Sequence, residues 1–505
     1  MSSLLERYHK QISGILSCFD RITITGTLPG VCYAFGMATF IMSKGYRIFD
    51  YPRFVEPLRD ELRANAEQLA KRNNLTIEFI RSANNFRKEE RIQAILKERG
   101  EHPGLVHIFS AMETCGSFAP HYDKLTQHTE LRYKEAKCLH YYFYFIDEEW
   151  GLCYLRVPTW APFRLLFYCN GHNWLAGQLK KQAISFTQLD NTFNRMDDWS
   201  KAQSIADSFP VQSLHHALDR FAKEYCPVIH HFSNTYHWSL YQIEYATDIV
   251  FKTQKDLGPI YENLSRTAIH TVKPDHIATF LGRKLDGRFK DEIGNQFQTR
   301  IQGTCIHHHM GPASIKLYDK FGLILRIETT VNDITFFRNH RTVEHRDGTS
   351  EAKVAPLRKN IYSLPSLREI LLSANYRYLD FLSDLDDPSA GMRDVENLTR
   401  SVRKNGRTYR GFNLFNQLDL DAIITLLRGE GTIRGITNSM IRRILTHLTG
   451  TQVSRLLKRM HLHGLIKKVG KSYRYYLTKS GRRVLLTALK LRQLVVIPSL
   501  AGFSI

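Results

Sequence analysis

The spacing of apolar and polar positions changes along the chain, and the changes mark its organisation. Up to residue 115, helical and strand patterns alternate. SLLERYHKQISGILSC reads as a helix and RITITGTL as a strand; an apolar helix then precedes YRIFDY. The helix PRFVEPLRDELRANAEQLAKR opens on Pro52, which a first turn tolerates. LTIEFI, the helix FRKEERIQAILKERG and the strand GLVHIFSAM complete a series that predicts an α/β layer with some parallel pairing.

Between Leu139 and Phe167 the pattern becomes aromatic and β-branched: LHYYFYFID, the turn DEEWG, LCYLRVPTW and FRLLFYC predict an antiparallel hairpin and a further strand. Exposed aromatics on a sheet can stack nucleic-acid bases, but this density of Tyr and Phe favours a core. GHNWLAGQLKKQ reads as a helix, and residues 196–252 as helical almost throughout. After a pair of hairpins comes the helix LPSLREILLSANYRYLDFLSDL. Polar, Gly-containing sequence without period then predicts a linker.

The last segment is helix, turn, helix and hairpin. NSMIRRILTHL is followed by TGTQVSRLLKRMHLHGL, with Thr449 or Thr451 placed as its cap. Val453, Leu456, Leu457 and Met460 recur at helical spacing and face a core, which leaves Gln452, Ser454, Arg455, Lys458 and Arg459 toward solvent. LIKKVG and YRYYLT form two strands, and KSGRRVLLTALKLRQL a final helix. This is the order of a winged helix.

The predicted fold is therefore α+β: a large mixed α/β core with antiparallel hairpins, followed by a C-terminal winged helix-turn-helix. Residues 1–135 form an N-terminal α/β region, 136–385 a core of β-hairpins and helices with the candidate active site, 386–425 a linker and 426–505 the winged helix.

Charge sharpens this picture. The chain of 505 residues carries a formal charge of +21, and residues 431–505 hold fifteen Lys and Arg with no Asp or Glu. A folded module so one-sided seeks a polyanion, because neutralised phosphates release counterions. A membrane-surface helix would show one amphipathic helix instead of helix and wing. The eight cysteines show no C-x-x-C and no paired spacing, as expected of reduced thiols in a cytoplasmic protein. MSSLLERYHK has charges where a signal peptide has an apolar run, and LPGVCYAFGMATFIM is too short to span a bilayer.

The richest chemistry lies in GTCIHHHMGPASIKLYDKFGLILRIETT, residues 303–330. A three-residue loop at Lys320, Phe321 and Gly322 puts Ser314, Lys316, Tyr318, Arg326 and Glu328 on one face. Ile315, Leu317, Leu325 and Ile327 take the other. Upstream, the loop MGPA sets His309 opposite Ser314, His307 opposite Lys316 and Cys305 opposite Tyr318; a loop shorter or longer by one residue brings in His308 instead. Such a face has a use in phosphoryl chemistry. Lys316 and Arg326 favour a phenolate at Tyr318 and clamp a phosphate. His307, His309 and Glu328 are candidate ligands for a divalent metal, Mg or Mn. A ladder of ordinary salt bridges is the plain alternative. Glu244 and Asp248, four apart in HWSLYQIEYATDIVFK, are a second candidate metal pair.

Two stretches carry a resemblance to known families. TQVSRLLKRM and HGLIKK resemble the recognition helix and its exit in MarR-like bacterial regulators. The resemblance implies duplex DNA binding through Arg455, Lys458 and the wing residues Lys467, Lys468, Lys471 and Arg474. KLYDK followed by LRIE is similar to the K-x-Y-x-K and L-R-x-E strands of plasmid and filamentous-phage replication initiators, which implies tyrosine attack on DNA. Relaxase-type sites place one hydrophobic residue between two histidines; here His308 stands there. The whole chain resembles a widespread bacterial mobile-element family. The function expected is DNA binding with strand nicking by Tyr318, and the alternative is a non-catalytic winged helix regulator. Duplex DNA is the expected partner, with single strands on the core; RNA and self-association are left open by the sequence, and a membrane is not expected.

Overall fold

The computed structural model describes residues 3–81, 86–125, 127–232, 235–285, 289, 291–300, 303–345, 347–385, 398–413, 416–427, 435–470 and 473–497. It is mixed α and β, with one large mixed sheet. Contacts along the backbone divide the chain into two compact units: one of residues 16–246 and 330–369, the other of residues 1–15, 247–329 and 370–505. No helix among the described residues is long and apolar enough to cross a membrane.

In the first unit the sheet is built from β1 (Ile12–Thr27), β2 (Ile77–Ile80), β3 (Gly104–Asp123), β4 (His128–Asp147), β5 (Gly151–Pro158) and β6 (Leu165–Cys169). Their order is β1-β6-β5-β4-β3-β2, antiparallel except for the parallel pair β2 and β3. The expected parallel pairing is thus present at one edge. The aromatic run of β4 is core: Tyr141 to Phe145 are all buried, and Phe143 and Phe145 stack on Tyr225 of the helix Val211–Tyr225 at 4.9 and 5.0 Å. In the turn before β5, Asp147 Oδ1 accepts from the backbone N–H groups of Glu149 and Trp150. β7 (Phe186–Gln188) and β8 (Phe193–Met196) form a small separate hairpin.

The second unit takes in β9 (His237–Phe251) from Thr247 onward, β10 (Ile293–Arg300), β11 (Gly303–Met310), β12 (Ala313–Lys320) and β13 (Ile324–Val331), in the order β10-β11-β12-β13-β9. β14 (Arg338–Glu344) and β15 (Ser350–Pro356) pair as a hairpin of the first unit. The C-terminal part of the second unit comprises the hairpin β16 (Val402–Lys404) and β17 (Arg407–Tyr409), the helices Gln417–Leu427, Asn438–Ile444 and Gly450–Leu462, the hairpin β18 (Ile466–Lys468) and β19 (Tyr475–Leu477), and the helix Lys479–Lys490.

Four sequence expectations change. The first helix ends at Arg7, and ISGILSC belongs to β1. HWSLYQIEYATDIVF is likewise a strand, β9, within a region that reads as helical; among the described residues there, only Trp199–Asp207 and Val211–Tyr225 are α-helices. Both strands are buried along most of their length. A continuous apolar run has no period that separates a buried strand from a buried helix. The boundary at 135 falls inside β4. The segment 386–425 carries a hairpin and most of a helix, and its Leu398, Phe412, Ala422 and Ile423 share a hydrophobic core with Val453, Leu457, Met460 and Leu485. Residues 386–397 lie outside the described residues.

None of the eight cysteines forms a disulfide, and seven of them are buried. One glycine shows how closely the first unit is packed. A Cβ at Gly171, which opens the helix Gly171–Lys181, would lie 2.4 Å from the backbone oxygen of Phe19. Gly177, in the same helix, has only Glu149 O within reach, at 3.8 Å. Gly171→Ala should destabilise the protein by about 1–3 kcal/mol through overpacking, whereas Gly177→Ala should be neutral or stabilise by roughly 0.5–1 kcal/mol through helix propensity. Urea unfolding of the two variants checks the contrast; equal effects would contradict the close approach.

Candidate functional site

The β12–β13 hairpin turns where its glycine predicts. Phe321 and Gly322 both have positive φ, 58° and 68°, and Leu323 N–H donates to Lys320 O at 3.1 Å. Ile315, Leu317, Leu325 and Ile327 are fully buried on the apolar face. On the polar face, Lys316 Nζ donates to Glu328 Oε1 and the Tyr318 hydroxyl donates to Glu328 Oε2, each at 2.7 Å. Glu328 is buried, while Lys316 and Tyr318 are half-exposed. A buried carboxylate thus holds a phenol and an ammonium side by side. It is positioned to accept the phenolic proton while the ammonium lies next to any anion that approaches.

Arg326 behaves differently from the expectation. It shares strand parity with Glu328, but its guanidinium is fully buried and makes two bonds to Asp248: Nε to Oδ1 at 2.6 Å and Nη2 to Oδ2 at 2.7 Å. It is therefore a structural cation and not a phosphate clamp. The cause is the neighbouring strand, since β9 brings a buried carboxylate whose charge has to be matched. The same pairing removes Asp248 from the second candidate metal pair. Glu244 has a partner too, Arg21, with Nε 3.4 Å from its Oε2.

The β11–β12 register is the one expected from the MGPA loop: His309 pairs with Ser314 and His307 with Lys316, and Met310 with Ala313 closes the turn around Gly311 at φ 56°. His308 points to the other side. It has no exposed surface and lies between Asn295 Oδ1 at 2.6 Å and the Tyr378 hydroxyl at 2.7 Å. Burial, then the neighbouring histidines, push its pKa down to about 3. His307 and His309 have ring centroids 6.0 Å apart. His307 Nε2 and both ring nitrogens of His309 are buried without a hydrogen-bond partner, and Glu292 Oε1 lies 3.5 Å from His309 Nε2. Burial and then Lys316 lower the pKa of His307, which keeps its ring neutral and its lone pair available. Of the expected metal ligands, His307 Nε2 and the ring nitrogens of His309 make no hydrogen bond, while both oxygens of Glu328 accept from Lys316 and Tyr318.

The C-terminal helix Gly450–Leu462 begins at a capping box. Thr449 Oγ1 accepts from Gln452 N–H at 3.4 Å, and Gln452 Oε1 accepts from Thr449 N–H at 2.7 Å. Thr449, not Thr451, is the cap. Val453, Leu457 and Met460 are buried and Leu456 is half-buried, as the spacing predicts. Arg455 and Lys458 are exposed; Ser454 is exposed and accepts from Asn438 Nδ2 at 2.9 Å. Lys467, Lys468 and Arg474 are exposed on or beside the β18–β19 hairpin, and Lys471 lies outside the described residues.

Two residues of this helix have partners within the module. Gln452 uses its amide oxygen in the cap. Arg459 faces inward: its Nη1 and Nη2 donate to both oxygens of Asp419 at 2.9 and 2.8 Å, its Nε to Arg410 O and its Nη2 to Gly411 O. The partner is 40 residues away, so helical spacing alone could not have revealed it.

Compared with known proteins, the chain matches no family model, no curated protein and no solved structure.

His308 makes stability depend on pH. An unfolded histidine takes up a proton near pH 6.5, but folded His308 does so only near pH 3. The stability it contributes is therefore intact above about pH 6.5 and is lost as pH falls toward 3, at about 1.4 kcal/mol per pH unit. His308→Gln keeps a donor and an acceptor. Urea unfolding at pH 6, 5 and 4 should show a pH slope shallower than the parent's by about one proton; an unchanged slope would mean that His308 titrates normally.

Proposed function

We propose that the protein binds duplex DNA through its C-terminal module, a winged helix, and nicks one strand with Tyr318, as an enzyme of a mobile genetic element would. The observation that carries the proposal is the Tyr318 hydroxyl donating at 2.7 Å to a buried carboxylate that also holds Lys316. Glu328 accepts the phenolic proton as the Tyr318 oxygen attacks phosphorus. The new bond is a phosphotyrosine ester, and the bond that breaks is to one deoxyribose oxygen, which leaves as an alkoxide and takes a proton from solvent. Lys316 faces the charge that develops on the phosphoryl oxygens. His307 and His309, whose Nε2 atoms make no hydrogen bond, would be the imidazole donors to a divalent ion, Mg²⁺ or Mn²⁺, which when bound would supply Lewis-acid polarisation of the phosphodiester.

The duplex reading rests on the capped helix Gly450–Leu462, which exposes Arg455 and Lys458, with the exposed lysines of the β18–β19 hairpin as its wing. A second reading, a non-catalytic DNA-binding regulator, has its own support. Glu328 is matched by Lys316 and Tyr318 and Arg326 by Asp248, a set of pairings that holds strands together without chemistry.

The two readings separate on incubation with single-stranded and supercoiled DNA plus Mg²⁺ or Mn²⁺, followed by denaturation. A nickase leaves a covalent protein–DNA adduct that Tyr318→Phe abolishes while folding and duplex affinity stay intact. A regulator gives no adduct, and an adduct that persists in Tyr318→Phe assigns the nucleophile elsewhere. In the helix, Arg455→Ala should cost about 1–3 kcal/mol of duplex affinity and relax preference at one base position. A loss equal across all sequences, in a binding-site selection assay, would show that Arg455 contacts only backbone.

A further inference from the structure

The hairpin β16–β17 stands beside the helix Gly450–Leu462, and the two enclose a groove of about 740 Å³. The hairpin turns at Asn405 and Gly406, both at positive φ (50° and 72°), and its register pairs Val402 with Tyr409 and Lys404 with Arg407. Directly paired residues share a face, so Lys404, Arg407 and Tyr409 lie together, and Arg403 with Thr408 occupies the opposite face. Arg407, Thr408, Tyr409 and Arg410 line the groove from this side; Arg455 and Lys458 line it from the helix, with Lys458 Nζ 5.8 Å from the Tyr409 ring centroid. Lys404, Arg407, Arg410, Arg455 and Lys458 are all exposed.

The groove wall is held in place by Arg459. Its guanidinium donates to the backbone oxygens of Arg410 and Gly411 just beyond the hairpin, makes two bonds to the buried Asp419, and lies 3.8 Å from the Phe412 ring centroid. The one acidic side chain of the groove lining is thus already matched by a cation. What remains is a channel lined by the cations Arg407, Arg410, Arg455 and Lys458 and by the apolar side chains of Leu418, Leu448 and Leu456, with the Tyr409 ring among them. That combination fits a sugar-phosphate strand, with phosphates at the cations and sugars on the apolar side chains.

We propose that this groove holds the backbone of a DNA strand flanking the site read by the helix, so that β16–β17 acts as a second arm on the side of the helix lined by Arg455 and Lys458. The inference rests on the duplex reading of the C-terminal module and extends its footprint to Arg407 and Arg410. Arg459 is a positioning residue in this arrangement.

The test is the salt dependence of duplex binding by the full-length protein, followed by fluorescence anisotropy between low and moderate salt. Arg407→Ala combined with Arg410→Ala removes two exposed charges from the groove lining and should lower the slope of log affinity against log salt by about 1.8, the value for two phosphates at 0.9 each. Arg403→Ala, in the same hairpin but outside the groove lining, should lower it by clearly less than half of that. A parent protein with a steep slope that the double variant retains in full would overturn the arm while leaving duplex binding in place. Equal losses in the double variant and, per charge, in Arg403→Ala would also overturn it, since general charge and not the groove would then be responsible. A parent without salt-dependent duplex binding overturns both the arm and the reading beneath it.

Discussion

A guanidinium with no exposed surface constrains everything around it. Arg326 is tolerable inside the sheet only because Asp248 meets it with both carboxylate oxygens, and removing either partner would strand a buried charge, at about 3–5 kcal/mol. The pairing also fixes β13 in position. A slip of one residue would turn Arg326 into the apolar layer of Leu325 and Ile327 and carry Glu328 off the face of Lys316 and Tyr318. The candidate chemistry of Tyr318 therefore depends on a salt bridge that takes no part in it.

The C-terminal module repeats this arrangement with another arginine. Arg459 sits on the helix expected to face DNA, yet its guanidinium reaches inward to Asp419 and to two backbone oxygens. In both places an arginine's fixed fork of donors matches a carboxylate two bonds at a time, which a lysine could not do. Rigidity at these points leaves the adjacent exposed cations, Arg455 and Lys458, on a defined surface.

The sequence made some of this legible and not the rest, for identifiable reasons. Register was readable where a turn residue pinned it: Gly322 and Gly311 set two hairpins, and the polar face with Lys316, Tyr318 and Glu328 followed from parity. The core positions of the helix Gly450–Leu462 were readable from spacing. Element type was not readable for β1 and β9, whose long buried runs have no distinguishing period. Partners distant in sequence were not readable either. Arg326 and Asp248 are 78 positions apart, Arg459 and Asp419 are 40, and no local pattern links them. Exposure on a helix identifies which side chains face outward only when nothing else packs there, and Arg410, Gly411 and Asp419, in a segment with the composition of a linker, were enough to turn Arg459 inward.

The two compact units have a consequence for how the chain acquires its structure. Each is assembled from separated stretches, and the polypeptide passes from one to the other after residues 15, 246, 329 and 369. During synthesis, residues 16–246 can gather most of one unit early, but the stretch 330–369 has to return to it more than 80 residues later. The other unit cannot close until the segment from 370 onward has emerged, although residues 1–15 leave the ribosome ahead of residues 16–246. Such long closures favour slow folding with partly built sheets exposed along the way. They also mean that a single cut between apparent domains divides at least one unit, so fragments chosen by linear boundaries would not be expected to fold as the intact chain does.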